Sequence, residues 1–454
     1  MKDTTSTTVA QQLAELIQLK TQGTLTVDVI HATKRCIIDW TCTTLAGSVH
    51  KQALALQRAL SDELGFGSSR TLTGRKAPVR TAAMINGLAS HIVEFDDIYA
   101  PGTYHPGSPT IAAALSATTG RQGSGLDLIR GTIAGYEVSN RIARAMGTDH
   151  YRYWHTTGTA GTIGSAAAVS SLYGLTVNQT AHALATSTTM AAGLQQAFRG
   201  ESEIKPLHAG HAADAGIVAA GLAREDVVAA LDMFEGASGL GIAMSGVSHT
   251  VDWENAIADT NENTIERMTI KNHGCCGHIF PALDGALALQ SEHGFTVDEI
   301  AAIAVGGYSA TVDVTGNYLA DTPASAKFCL PFIVASALTH GSIRLDAYSP
   351  ERLQDPAVRT LMASVTVQLD ETIEARFPSQ RSANVVVMLK DGSQLRRFQP
   401  HRVGDPDLPL TDDQLNNKFI ELTRGVLSKD QAESLLNNLW VLDTKPSVDF
   451  FYMQ

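Results

Sequence analysis

The sequence predicts a mainly α protein, with a large all-helical domain built from both chain ends and a smaller inserted α+β lid domain. Three observations predict it. Apolar residues recur at helical spacing through residues 8–250. After about residue 265 the texture changes to short β-branched runs bounded by turn residues. From Thr411 the helical spacing returns and continues to the end. The domain reading is therefore 1–265, completed by 402–454, for the helical part and 266–401 for the lid.

In chain order, Val9, Ala10, Leu13, Ala14 and Ile17 form a first helical face, and Val29, Ile37, Ile38 and Leu45 a second. Helices are then expected over Ala82–Ile92, Thr110–Ala117, Leu126–Met146, Thr162–Leu172, Asn178–Ala192 and Ala212–Ala223. These segments are rich in Ala, Gly, Ser and Thr. Glycine inside a helix costs up to about 1 kcal/mol, so close helix approach is the expected compensation.

In the lid, Ile300–Tyr308, Val365–Leu369 and Ala383–Leu389 read as strands. The turn Lys390-Asp391-Gly392-Ser393 joins the last of these to a strand at Gln394–Phe398. Helices are expected over Pro281–Glu292 and Ala324–Leu338, and Thr411-Asp412-Asp413-Gln414 offers a capping box for the returning helical segment. A cleft between two such domains is a common place for a ligand.

Composition excludes several functions. A formal charge of −12 argues against nucleic acid or an anionic membrane as partner. No run of 18 apolar residues occurs. The first twenty residues carry neither an apolar signal core nor an arginine-rich presequence, and five cysteines form no disulfide framework. A cytoplasmic location is expected.

Four segments could carry chemistry. The first holds His91, Glu94, Phe95, Asp96, Asp97 and Ile98, then His105-Pro106-Gly107-Ser108. Carboxylates at a helix C-terminus oppose its dipole and need partners. The second is His155-Thr156-Thr157-Gly158 through Gly164. Its glycines match neither G-x-G-x-x-G nor the P-loop, and no strand precedes them. A helix start there can hold a carboxylate instead.

The third segment, Lys205-Pro206-Leu207-His208 with His211, stacks cationic groups at helical spacing, with Asp214 the close acid downstream. The fourth is Lys271-Asn272-His273-Gly274-Cys275-Cys276-Gly277-His278. Its cysteines lack the spacing and second half of a zinc site, so no metal is expected. No G-x-S-x-G elbow is present. Lysine, histidines and acids without a cofactor motif suit proton transfer beside a carboxylate, where a base near neutral pKa and a fixed positive charge are needed.

Together these segments resemble the MmgE/PrpD family. The resemblance also includes Asn86-Gly87, Gly135-Tyr136-Glu137-Val138, Glu235-Gly236, Ala326-Lys327-Phe328 and Lys390-Asp391-Gly392. It implies a homodimer of helical domain plus lid, needing no organic cofactor or metal. It also implies action on a small anionic carboxylate by decarboxylation of a cis-aconitate type, dehydration of a 2-methylcitrate type, or epimerisation of a dicarboxylic acid such as iminodisuccinate. A non-catalytic carboxylate-binding relative is the remaining alternative.

By the same resemblance His105, Lys205 and His273 are catalytic, and Glu94, His155, His208 and Lys271 bind substrate. This chain departs from the common pattern with Glu94 in place of Asp and Ile98 in place of Thr or Ser.

Overall fold

The apolar repeats of the first half do fold as helices, in a computed structural model that describes residues 7–198, 202–246 and 251–452. They are α1 (Val9–Thr21), α2 (Val27–Ser48), α3 (Lys51–Ala59), α4 (Val79–Ser90), α5 (Gly107–Gly120) and α6 (Gly125–Tyr151). After them come α7 (Thr156–Leu172), α8 (Val177–Thr188), α9 (Leu207–Arg224), α10 (Leu240–Ser245) and α11 (Trp253–Ala258). Side chains start several of these helices. Thr8 with Gln11, Ser124 with Asp127 and Thr176 with Gln179 form capping boxes.

Two differences from the sequence reading have local causes. This part of the chain is not all-helical, because Ser69–Arg70 (β1) pairs antiparallel with Lys76–Ala77 (β2). Those two-residue strands are too short for a period of two to register. Helix α8 also stops at Thr188, four residues before the expected Ala192. The chain beyond it runs irregularly to Gly193, whose φ is +132°.

Small residues let the helices nest, as expected. A Cβ on Gly135 of α6 would lie 2.2 Å from Thr110 Cγ2 and 2.7 Å from the carbonyl of Gly164 on α7. A Cβ on Gly216 of α9 would lie 2.4 Å from Ser165 Cβ of α7. Helix α7 is consequently buried on every side along nearly its whole length.

The chain divides into two compact units, one of residues 1–269 with 412–454 and one of 270–411. In the second, α12 (Phe280–His293), β3 (Ile300–Gly307), α13 (Ser309–Thr315), α14 (Pro323–Ala326) and α15 (Leu330–His340) come first. They are followed by α16 (Pro350–Leu353), α17 (Pro356–Met362), β4 (Val365–Leu369), α18 (Glu371–Glu374), β5 (Ala383–Leu389) and β6 (Gln394–Gln399). Strand order is β4-β3-β5-β6, with β3 parallel to β4 and antiparallel to β5. Strands β5 and β6 are the expected hairpin, with Gly392 at φ +89° in the turn. The helix expected over Ala324–Leu338 is instead two, interrupted at Lys327-Phe328-Cys329, with Pro331 in the first turn of α15.

The first unit is completed by α19 (Asp412–Thr423) and α20 (Lys429–Trp440). Fully buried Lys418 of α19 pairs with Asp39 of α2 and donates to the carbonyl of Phe95 at 3.0 Å. A buried charge needs such partners. No helix among the described residues is long and apolar enough to cross a membrane.

Gly135→Ala should therefore lower the free energy of unfolding by about 1–3 kcal/mol through overpacking. Gly221→Ala, on α9 with nothing within 4 Å of its added Cβ, should raise it by up to about 1 kcal/mol. Urea unfolding measures both, and similar effects from the two substitutions would contradict the packing argument.

Candidate active site

Helix α4 ends at Ser90 and His91 caps it. The chain then turns through Glu94, which holds a left-handed φ of +62°, a conformation that costs a non-glycine residue strain. The three carboxylates that follow the helix each find a partner. Glu94 Oε1 accepts from Lys205 Nζ at 2.5 Å. Asp214, the acid nearest Lys205 downstream in sequence, instead pairs with Arg80 at 2.6 Å.

Asp96 Oδ2 lies 2.6 Å from His91 Nδ1 and 3.3 Å from His105 Nδ1, and accepts from Ser108 Oγ at 2.8 Å. Asp97 accepts from Tyr136 Oη at 2.7 Å and from the Gly107 N–H, at the start of α5, at 3.0 Å. The 99–104 loop closes on itself through a Tyr99–Tyr104 bridge and returns His105 to this point. There His105 Nδ1 sits 2.9 Å from the Asp97 carbonyl oxygen.

The imidazoles form a continuous cluster. The ring of fully buried His91 contacts His105 edge-on at 5.0 Å and stacks on His155 at 5.3 Å. His155 caps the start of α7, and its backbone N–H donates to the Gly193 carbonyl at 2.8 Å. Its Nδ1 lies 3.0 Å from His208 Nδ1. Phe198 packs edge-on against His155 at 4.4 Å, and the Lys205 ammonium lies 5.3 Å from the Phe198 ring centre. At the same end of α7 the hydroxyls of Thr156 and Thr157 are buried with no hydrogen-bond partner among the described residues. His211 turns aside, with Nε2 3.3 Å from the Met190 carbonyl oxygen.

Environment sets the charge states. Burial pushes the Asp96 carboxyl up, but the charges of His91 and His105 and their hydrogen bonds outweigh it, and the net shift is well below the usual range. Burial lowers His155 well below an ordinary histidine, helped by neighbouring His91 and Lys205. Burial followed by His91 and His211 takes His208 down to about 4. Burial acts to lower Lys205 too, but the Glu94 charge and hydrogen bond leave it raised. At neutral pH the cluster thus presents a cationic Lys205, an anionic Asp96, and neutral His155 and His208.

Sequence reasoning placed Glu94, His105, His155, Lys205 and His208 in the site, and the first unit gathers all five. It named His91, Asp96 and Ser108 within the first segment and Tyr136 within the resemblance without giving them a role, and did not single out Phe198. A signal was present in His91, a histidine five residues ahead of Asp96 at the end of an apolar helix.

His91, Asp96 and His105 also bring ligand types together within 4.8 Å. The 2.6 Å His91–Asp96 separation is a hydrogen-bond length, shorter than the roughly 3.3 Å edge of a tetrahedron around zinc. The arrangement is that of a proton-bearing network.

Lys271 and His273 lie together at the start of the second unit, both buried. His273 Nε2 is 2.8 Å from Asp284 Oδ1, and the other Asp284 oxygen accepts from the Val403 N–H at 2.7 Å. Asp284 therefore fixes the ring, which also meets Phe280 edge-on at 5.3 Å. His278 sits 2.8 Å from the Tyr308 hydroxyl, and burial takes it down to about 3. The neighbouring Cys275 is buried and Cys276 partly buried, and neither is in a disulfide among the described residues.

The pH dependence of stability follows from Asp97. Burial, then the nearby Asp39 and Asp96 charges, push its carboxyl up to about 8 against the Tyr136 hydrogen bond. An unfolded aspartate titrates near ~3.9, so between these values the folded chain holds the extra proton. Stability from this group is complete below ~pH 4 and is lost as pH rises through about 8, by at most about 1.4 kcal/mol per pH unit. Asp97→Asn should therefore lose less stability than the parent between pH 6 and pH 8 in urea titrations. Identical slopes would remove the protonated carboxyl.

Two family models cover most of the chain: the MmgE/PrpD N-terminal domain matches residues 11–251 and the MmgE/PrpD C-terminal domain residues 273–443. Among curated relatives, a cis-aconitate decarboxylase-like protein of Aspergillus oryzae is 27% identical over 99% of this chain and 98% of its own length. The cis-aconitate decarboxylases of Mus musculus and Homo sapiens are 25% and 26% identical. Each match covers 94% of this chain, and 89% and 90% of the respective relative. With both halves matched in order, the chain belongs to the MmgE/PrpD family.

Proposed function

We propose that this protein is a cofactor-independent lyase that removes carbon dioxide from a small di- or tricarboxylic acid of the cis-aconitate type. The observation that carries the proposal is the gathering of a cationic Lys205, neutral imidazoles and the Asp96-bound His105 around the start of α7. Full-length similarity to cis-aconitate decarboxylases supports the choice of reaction within the family.

In the proposed mechanism Lys205 holds one substrate carboxylate. An ammonium has three N–H donors, and Glu94 occupies one while fixing the side chain. His155 donates to a second carboxylate near the buried Thr156 and Thr157 hydroxyls, where the α7 N-terminus favours an anion. The carbon–carboxylate bond breaks, carbon dioxide leaves, and the electron pair moves into the carbon skeleton. A proton from His105 Nε2 then closes the valence at carbon. The Asp96 carboxylate supplies the counter-charge for the proton that His105 carries, as in other carboxylate–imidazole pairs. His273, held by Asp284, is proposed as a further proton carrier and Lys271 as a further source of positive charge.

Ile98 is buried, and its backbone pairs with Thr269 in both directions. An alkyl group at this position cannot hydrogen-bond a substrate, which bears on which polycarboxylate is preferred.

Incubation with a panel of polycarboxylates, followed by proton NMR in heavy water, tests the reaction. New alkene signals from a product one carboxylate smaller are expected. Proton exchange without product would point to epimerisation, and silence with thermal stabilisation to a binding protein. On the substrate so found, Lys205→Ala should lower kcat/KM by about 100-fold through lost charge-assisted contacts. His105→Gln should lower kcat by about 100-fold or more with a smaller change in KM. Unchanged kinetics in either variant would remove that residue from the mechanism.

A further inference from the structure

Two imidazoles that meet through the same kind of nitrogen constrain each other's protons. The Nδ1 atoms of His155 and His208 lie 3.0 Å apart, a separation that calls for one proton between them. Each neutral ring carries a single N–H. The ring that donates from Nδ1 is therefore bare at Nε2, and the ring that accepts at Nδ1 must carry its proton on Nε2. The pair always presents one donor and one acceptor at its two outer nitrogens.

The contact is built into the backbone. The Gly193 carbonyl fixes the His155 N–H at 2.8 Å. A Cβ on the same glycine would come within 3.2 Å of His208 Cγ and Nδ1. Gly158, in the first turn of α7, leaves similar room: its Cβ would lie 3.3 Å from His208 Cβ. Phe198 packs edge-on against His155 at 4.4 Å.

The two outer nitrogens are not equivalent. His155 is 2% exposed, whereas His208 is half-buried. A bare nitrogen on His208 can accept from water. A bare Nε2 on His155 would turn a lone pair towards the space in which the proposed function places a carboxylate, and lone pair against anion is repulsive.

We propose that His208 is a positioning residue: its Nδ1–H donates to His155 Nδ1, locking His155 as the Nε2–H tautomer that donates to a substrate carboxylate. This rests on the proposed function for its consequence in turnover, but not for its geometry. His208 acts through His155 and takes no part in bond breaking. The low values to which burial takes both rings agree with a neutral pair.

The test has two independent readouts. In protein labelled with 15N-histidine, the wild type should show His155 with a protonated Nε2 and an unprotonated Nδ1, the latter coupled through the bridging proton to His208. His208→Phe should lose the coupling. His208→Asn, whose amide N–H falls near the position of Nδ1, should keep His155 in the same tautomer. His208→Gln, which mimics Nε2 instead, should not.

On the active substrate, Phe and Gln variants should raise KM by about tenfold with kcat little changed, the pattern of lost uniform binding, and Asn should restore most of it. Protonation of His155 at Nδ1 in the wild type would overturn the proposal, as would equal kinetics for the Asn and Gln variants. If no polycarboxylate is turned over, the proposed function fails while the NMR result still decides the tautomer. Should the Phe variant not fold, the Asn and Gln pair carries the comparison alone.

Discussion

The arrangement of the candidate site depends on one buried carboxylate, Asp96. At 1% exposure its charge is stable only if partners surround it, because an uncompensated buried ion costs several kcal/mol. Those partners come from three places: His91 at the end of α4, His105 from the returning loop, and Ser108 in the first turn of α5. Each is drawn to the same oxygen, so their relative positions follow from one atom. The rest is inherited by contact. His91 offers its face to His155, and His155 offers its Nδ1 to His208.

That oxygen is itself held in place by the residues on either side of it. The Phe95 carbonyl accepts from Lys418, whose ammonium also pairs with Asp39 and lies 5.3 Å from the Phe95 ring centre. Asp97 is fixed by Tyr136 and by the start of α5. The segment that begins at Asp412 thus completes the first unit at the point where the acidic loop needs a cation. The Gly135-Tyr136-Glu137 run gains a physical meaning from the same geometry. Gly135 lets α7 approach, Tyr136 holds Asp97, and Glu137 pairs with buried Arg141 at 2.5 Å while accepting from the Ile265 N–H.

The periodic parts of the fold could be read from the sequence. Helix spacing located α4 to α9, and β-branched runs bounded by turn residues located β3 to β6. Strands β1 and β2 were not legible, being two residues each and held by the pairing between them. The break at Lys327-Phe328-Cys329 was missed because the apolar spacing runs through it.

Within the site, residues with unusual chemistry in unusual company stood out, as Lys205 and His208 did among alanines and glycines. Partnerships did not. Glu94 and Lys205 are 111 positions apart, and nothing local distinguishes Glu94 from Asp214 as the lysine's partner. His91 was named within the first segment, but its pairing with Asp96 shows only once the chain turns back at the end of α4.

The charge distribution bears on how the proposed pocket selects its ligand. The chain carries −12 overall, so long-range attraction cannot gather a polycarboxylate, and screening would reduce it beyond about 8 Å in any case. Lys205 is the lysine of the described cluster in the first unit, and Glu94 already offsets much of its charge at 2.5 Å, as Asp96 does for His91 and His105. Neutral His155, with His208 behind it, can donate a hydrogen bond without adding charge. Under the proposed function, recognition then rests on donors aimed at particular oxygens and not on net field. A ligand with carboxylates at the wrong spacing would leave a buried donor unpaired, at a cost of about 1–3 kcal/mol for each one lost. Directional donors of this kind discriminate between acids of equal charge, which a cluster of lysines could not do.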